Sequence, residues 1–205
     1  MSKILLVSAT EFEIQPIRKK LKENQILITG IGVYATVFQL MKKLANHHFD
    51  LIIHAGVGGS FDLTASLGSV FQISAERFAD IGYENSDRTF NDFFGTELLK
   101  LDDPPFENGW MINPFQLKHP DLPMAKGITV NTVSGCSETI QQRATYQAQI
   151  ESMEGAGLFF VCKQLNLKFI SLRAISNYVT PRNRENWELK KAIANLNRTL
   201  DLFLE

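Results

Sequence analysis

Glu13, Glu154 and Asn177 are the side chains through which this sequence could do chemistry. Glu13 ends the run Ser8-Ala9-Thr10-Glu11-Phe12-Glu13, just after a short apolar stretch at 4–9. Two readings of it stand side by side. The T-x-x-E spacing from Thr10 is a capping box, in which the carboxylate bonds back to the Thr10 amide. A carboxylate at the end of a first strand could equally activate water. Glu154 stands at a helix start, after Met153 and before the small residues Gly155, Ala156 and Gly157. The helix dipole favours an anion there by about 0.3–1 kcal/mol. The small residues also let a ligand come close, and hydrogen bonds to a charged group contribute about 1.5–3 kcal/mol, enough to hold a sugar hydroxyl. Ser176 and Asn177 stop an apolar strand, where they serve either as turn or cap residues or as polar contacts to a ligand.

The elements that must position these groups follow a βαβ rhythm, which predicts an α/β domain with a central, mixed but mostly parallel sheet flanked by helices. Strands are expected over 4–8, 25–29, 51–55, 68–75, 127–133 and 168–175, with helices over about 11–21, 34–46, 137–149, 154–165 and 186–203. Open sheets of this kind bind ligands at the carboxyl ends of their strands, which is where Glu13 and Asn177 fall. The whole chain, 1–205, reads as one domain. One stretch breaks the rhythm, an insertion at about 83–124 holding Pro104, Pro105, Pro114, Pro120 and Pro123 among Phe90, Phe93, Phe94, Phe106, Trp110 and Phe115. Its aromatics argue for order, as a lid, a subunit contact or packing.

Glycine turns follow several strands. Gly30-Ile31-Gly32-Val33-Tyr34-Ala35 satisfies G-x-G-x-x-A, but no acidic residue closes the next strand to hold a ribose, since Asp50 precedes 51–55. It reads as a tight turn that lets a helix pack close to the sheet. Gly56-Val57-Gly58-Gly59 reads as a second turn, whose backbone at Val57, Gly58 and Gly59 could approach a ligand.

The 205 residues are 44% hydrophobic and 21% charged, with a formal net charge of -1, and no basic block favours nucleic acid or an anionic membrane. No run reaches membrane-spanning length, and 4–9 is too short for a signal-peptide core. Cys136 and Cys162 have neither redox-pair spacing nor the number of a disulfide framework, so a reducing cytoplasm is expected. His47, His48, His54 and His119 form no metal-ligand spacing, and no metal or cofactor is expected.

Taken together, E-x-E after the first strand, G-x-G-G after the third, Val133-Ser134-Gly135, S-M-E-G-A-G and R-A-I-S-N resemble the purine nucleoside phosphorylase and nucleosidase superfamily. The resemblance runs from Ile4 to about Asn197 and leaves the aromatic insertion unmatched. It implies a nucleoside phosphorylase-like fold, a strand-one base at Glu13, ribose contacts at Met153 and Glu154, and a leaving-group residue at Asn177. The adenine-specific nucleosidases carry Asp at that last position. Asn can donate through its NH2 to O6 and N7 of a 6-oxopurine, whereas an ionised Asp would repel O6. The longer run 173–179, continuing through Pro181-Arg182-Asn183-Arg184-Glu185-Asn186-Trp187, resembles the futalosine hydrolases specifically. That family removes hypoxanthine from futalosine in a route to menaquinone. Arg182 and Arg184 are then either loop-fixing charges or contacts to a carboxylated substrate tail, and Ser176 joins the binding residues.

The resemblance implies a small nucleoside and water as reactants, a homo-oligomer, and hydrolysis through an oxocarbenium-like transition state. Insertion aromatics would enclose the 5′ substituent. A phosphorylase, a methylthioadenosine or adenosylhomocysteine nucleosidase, and an idle purine-nucleoside binder are the alternatives.

Overall fold

The computed structural model describes residues 3–117 and 122–204, so the expectations placed on His119 and Pro120 lie outside the described residues. Strand β1 (Ile4–Ser8) leads into α1 (Glu11–Arg18), then β2 (Ile26–Ile28), α2 (Val33–Leu44) and β3 (Leu51–Ser60). The chain continues through β4 (Val70–Phe78), β5 (Gly82–Glu84), β6 (Phe90–Asp92), β7 (Met111–Ile112) and β8 (Met124–Thr129). It closes with α3 (Ser137–Ala144), β9 (Ile150–Ser152), α4 (Gly155–Gln164), β10 (Phe169–Tyr178) and α5 (Leu189–Leu204).

The main sheet is mixed and mostly parallel, and five of its strands close on themselves. β3 pairs β10 in parallel, β10 pairs β4 antiparallel, β4 and β8 are parallel, β8 and β9 are parallel, and β9 returns antiparallel to β3. The length of β3 permits this: one edge carries β1 at 51–54 and β9 at Gly59 and Ser60. β1 and β2 extend the sheet beyond the ring. Alternation along the strands divides the core as a period of two requires. Leu5 and Val7 join Ile52, Leu158 and Phe159 beneath α2 and α4, whereas Leu6 joins Ile53, Ile14, Leu196 and Leu200 beneath α1 and α5.

The glycine segment 56–59 is not a turn but the second half of β3. Glycine there serves close approach rather than chain reversal. A Cβ on Gly56 would stand 3.1 Å from Glu13 Oε1, and one on Gly59 would stand 3.1 Å from Asn177 Nδ2. The turn reading does hold at Gly30 and Gly32, whose φ values of 84° and 93° are left-handed and favour glycine.

The insertion is ordered by packing, away from the carboxyl ends of β1 and β10. β7 pairs β4, and Lys163 of α4 donates to Glu107 and to the Ile112 carbonyl. Phe94 and Phe106 are buried edge to face, 4.8 Å between centroids. Arg77 lies over both Phe94 and Tyr146 and pairs with Asp92 of the β5–β6 hairpin.

Candidate active site

A cavity of about 680 Å³ opens at the carboxyl ends of the ring strands. Glu13, Val57, Gly58, Gly59, Met153, Glu154, Ser176, Asn177 and Arg182 all line it. Arg184 does not. It lies over the Trp187 ring at 5.7 Å, a ring shared with Arg182 at 5.1 Å. Among the described residues none from the insertion reaches this cavity, whose walls come instead from Phe12, Ile31, Leu63, Trp187 and Leu189. The expectation that insertion aromatics enclose the substrate's 5′ end is therefore corrected within one chain, because those aromatics are spent on α4 and β4.

The two carboxylate oxygens of Glu13 meet different surroundings. Oε2 accepts from the Thr10 amide (3.0 Å), the Thr10 hydroxyl (2.9 Å) and the Ser8 hydroxyl (3.1 Å), while Oε1 accepts only from the Val57 amide at 3.1 Å. A carboxylate oxygen has about two acceptor sites. The cap thus saturates Oε2 and leaves capacity on Oε1, the atom a water would meet. The same bond spends the Val57 amide on Glu13 rather than on a ligand. Pro16 removes an amide donor from α1. Asn197 of α5 braces that turn, donating to the Glu13 carbonyl at 2.7 Å and accepting from the Ile17 amide at 3.1 Å.

Glu154 occupies the N-cap of α4, is 9% exposed, and accepts from the Gly32 amide at 3.0 Å. The tight turn between β2 and α2 thereby holds a carboxylate from the start of α4, which packs beside α2 on the same face of the sheet. Burial raises the Glu154 pKa, and the Arg173 charge and the Gly32 amide offset part of that rise.

Arg173 is the site's unforeseen member. Its guanidinium is buried beneath Glu13, where Nη1 and Glu13 Oε1 both crowd the empty Cβ position of Gly56. Nη1 donates to the Leu172 carbonyl at 3.1 Å, and Nη2 lies 3.1 and 3.2 Å from the two His54 ring nitrogens. Burial, then the neighbouring Arg173 charge, pushes His54 well below its ordinary range, so the ring packs as a neutral imidazole. The available signal was a lone cation inside the apolar strand Phe169–Tyr178. Below this cluster Glu76 accepts from the Thr129 hydroxyl at 2.9 Å and fits only because Gly127 and Gly155 carry no Cβ.

Burial pushes Glu76 up to about 7, against a lowering by Arg173. A carboxyl whose folded pKa is raised keeps its proton where the unfolded chain has lost it, so stability falls as pH climbs from 4.5 to about 7. At 1.36 kcal/mol per unit the loss is about 3 kcal/mol. Glu76→Gln should abolish that component, so the variant gains on the native chain between pH 5 and pH 8 in urea unfolding. An equal difference at both pH values would contradict the assignment.

Asn177 follows a β-bulge in the pairing of β10 with β3, where Ile175 faces Gly58 and Asn177 faces Gly59, leaving Ser176 as the extra residue. Its amide orientation follows from its partners. Nδ2 lies 3.0 Å from the Tyr178 carbonyl, which can only accept, so the NH2 must face it. Oδ1 then accepts from the Ser176 hydroxyl at 2.8 Å. One N–H of Asn177 remains for the cavity.

Among the described residues no group of three His, Cys, Asp or Glu side chains could hold a metal ion, and no helix is long and apolar enough to cross a membrane. The model of the phosphorylase superfamily matches residues 3–205. A futalosine hydrolase of Acidothermus cellulolyticus is 30% identical over 178 residues, covering 83% of this chain and 71% of the relative. One from Thermus thermophilus is 26% identical over 179 residues, covering 85% and 78%. Among solved structures, S-adenosylhomocysteine nucleosidase from Streptococcus pyogenes, in complex with 5-methylthiotubericidin, superposes with a TM-score of 0.79 at 14% identity, covering 100% of this chain and 96% of that one. A methylthioadenosine/adenosylhomocysteine nucleosidase from Colwellia psychrerythraea, in complex with adenine, gives 0.75 at 17% identity over 99% and 94%.

Proposed function

Because the chain belongs to the phosphorylase superfamily and, within it, to the futalosine hydrolases, we propose that it hydrolyses the N-ribosidic bond of futalosine, releasing hypoxanthine on the futalosine route to menaquinone. The observation that carries the choice of base is the Asn177 amide, fixed by Tyr178 and Ser176 with one N–H left over. N7 accepts in both kinds of purine, so the single free N–H discriminates at position 6, where a 6-oxopurine presents the acceptor O6 and adenine a donor.

In this reading Glu13 Oε1 orients and deprotonates the attacking water, while Glu154 holds ribose hydroxyls. Asn177 stabilises negative charge building on the base. An amide gives up no proton, so hypoxanthine leaves as a hydrogen-bonded anion and takes its proton from water afterwards. Water rather than phosphate suits the walls, whose charged side chains among the described residues are Glu13, Glu154, Arg182 and a Glu151 already paired with Arg143. A phosphate dianion beside Glu13 and Glu154 meets like charge. Arg182 donates its backbone amide to the Gly135 carbonyl and lines the cavity beside Ser134.

Asn177→Asp tests the base assignment. Hydrogen bonds to charged groups contribute about 1.5–3 kcal/mol. The ratio of hypoxanthine release from futalosine to adenine release from its 6-amino counterpart should accordingly fall by about 10–100-fold. An unchanged ratio would remove Asn177 as the selector.

The working unit in this proposal is a homo-oligomer in the cytoplasm, in keeping with the two free cysteines. Tyr34, Phe38 and Met41 form an exposed apolar stripe along α2, continued by Ile31 on the cavity wall. A second copy covering the stripe would also close the cavity near Ile31. Phe38→Glu should shift sedimentation to a single-chain species and raise KM, whereas a native chain already sedimenting at 23.1 kDa would refute the oligomer.

A further inference from the structure

Glu76 is fully buried, does not line the cavity, and has no part in the mechanism above. Its direction is set by a β-bulge. The pairing of β4 with β8 steps from Ile73 opposite Ala125 to Ala75 opposite Lys126, which leaves Ser74 as the extra residue. Strict alternation from Ile73 would turn Glu76 to the other face. The bulge returns it to the face of Phe71, Ile73 and Phe78, which pack with Leu158 and Phe159 of α4. The Glu76 carboxyl thus arrives under the start of α4, where Cβ atoms on Gly155 and Gly127 would stand 2.0 and 2.5 Å from Oε1.

Hydrogen-bond direction locates a proton there. The Ala156 amide, in the first turn of α4, can only donate, and it meets Thr129 Oγ1 at 2.7 Å. The Thr129 hydroxyl passes its own hydrogen to Glu76 Oε2 at 2.9 Å, so Oε2 is an acceptor. Oε1 is enclosed and has no hydrogen-bond partner. In such surroundings an ionised oxygen without a donor costs far more than a bare hydroxyl. The charged groups that face Glu76 are Arg173 from β10 and Glu154 from the N-cap of α4, while β8 presents Gly127 and Thr129 and β7 presents Met111. Two carboxyls therefore share one guanidinium and one helix start, an arrangement that drives their titrations apart. Glu154 has the Gly32 amide to support its charge, and Glu76 has the bare oxygen.

We propose that Glu76 is a positioning residue for Glu154: it keeps the proton of this carboxyl pair and seats the first turn of α4 through Thr129, so that Glu154 stays the anion that meets ribose hydroxyls. The inference rests on the nucleosidase reading of the cavity and adds the group that fixes its ribose contact. When Glu76 ionises, a second anion competes for Arg173 and for the same helix start, and Glu154 is repelled from its place. Burial above all holds the proton up to about pH 7, against Arg173 and Thr129. The ribose contact is accordingly complete below that pH and is lost as the pH rises through it.

The test is equilibrium binding of 9-deazainosine, a 6-oxopurine riboside whose carbon–carbon glycosidic bond is not hydrolysed, and of its 2′,3′-dideoxy derivative. The native chain should prefer the riboside by about 10–100-fold at pH 6, as hydrogen bonds to a charged group allow, and lose most of that preference at pH 8. Glu76→Gln, which imitates the protonated carboxyl, should hold the pH 6 preference at both pH values. Glu76→Leu, which leaves Thr129 without its acceptor, should lose it at both. A native preference that does not change with pH, or a Gln variant that follows the native pH dependence, would overturn the proposal. The proton itself is read without ligand, since the infrared difference between the native chain and Glu76→Gln should show the carbonyl stretch of a protonated carboxyl at pH 6 and a much weaker one at pH 8. Absence of that band would overturn the proposal even in a chain that cleaves futalosine. Its presence in a chain that binds no nucleoside would uphold the proton on Glu76 and remove the nucleosidase reading instead.

Discussion

Glu13→Gln is expected to slow base release by roughly 10²–10⁴-fold, the range a positioned general base supplies. The barrier should rise by about 3–5 kcal/mol, at 1.36 kcal/mol per decade. The substitution separates the two jobs of this side chain. Gln retains a carbonyl oxygen that can accept from the Thr10 amide and hydroxyl, so the start of α1 is preserved. It cannot take a proton from water. Single-turnover kinetics at saturating substrate isolate the chemical step, and the loss should appear in kcat with little change in KM. Near-native turnover would return Glu13 to helix capping alone.

Arg173→Met is expected to remove most activity and to destabilise the fold by about 3–5 kcal/mol, because breaking a buried ion cluster leaves its other charges uncompensated. Here the stranded groups are Glu76 and Glu154, both of which Arg173 draws down. Without it both carboxyls should shift further upward, and Glu154 would hold its proton at a pH where it ought to accept from a ribose hydroxyl. The activity–pH profile of the residual turnover should move to higher pH. That movement separates loss of charge from loss of packing, since a merely loosened core would lower the whole profile without displacing it. Arg173→Lys should recover part of the stability, a point charge replacing a planar fork that touches both His54 and Leu172.

The parts of the fold that were legible in the sequence are those with a clean period. The runs 4–8 and 51–55 and the amphipathic helices that follow β1 and β2 appear where expected, because one buried face imposes its pattern on the chain. What escaped was structure set by partners distant in sequence. Segment 56–59 looks like a turn by composition, yet β10 and β9 pair with it and draw it into β3. β9 is three residues long and has no period of its own; its neighbours β8 and β3 define it. The aromatic insertion suggested a cover for the cavity, whereas Phe94 and Phe106 are committed to core packing.

Site residues divide the same way. Glu13, Glu154 and Asn177 stand at element ends, which a sequence marks. Arg173 and Glu76 lie inside strands, Arg173 as the lone charge of an apolar run and Glu76 next to Arg77. Their roles depend on which glycine each one faces, a fact of register rather than of spacing. Of the two readings of Glu13 that spacing left open, the cap is seen on Oε2, and Oε1 keeps an acceptor site beyond its bond to the Val57 amide.

The central claim is hydrolysis of a 6-oxopurine nucleoside without phosphate, and product analysis tests it most directly. The purified protein is incubated with futalosine in phosphate-free buffer and then with added phosphate, and both the base and the sugar product are identified. The account predicts hypoxanthine together with the free reducing sugar, at a rate phosphate does not raise, and no comparable adenine release from methylthioadenosine. A sugar 1-phosphate formed only when phosphate is present, or adenine as the preferred leaving base, would contradict it.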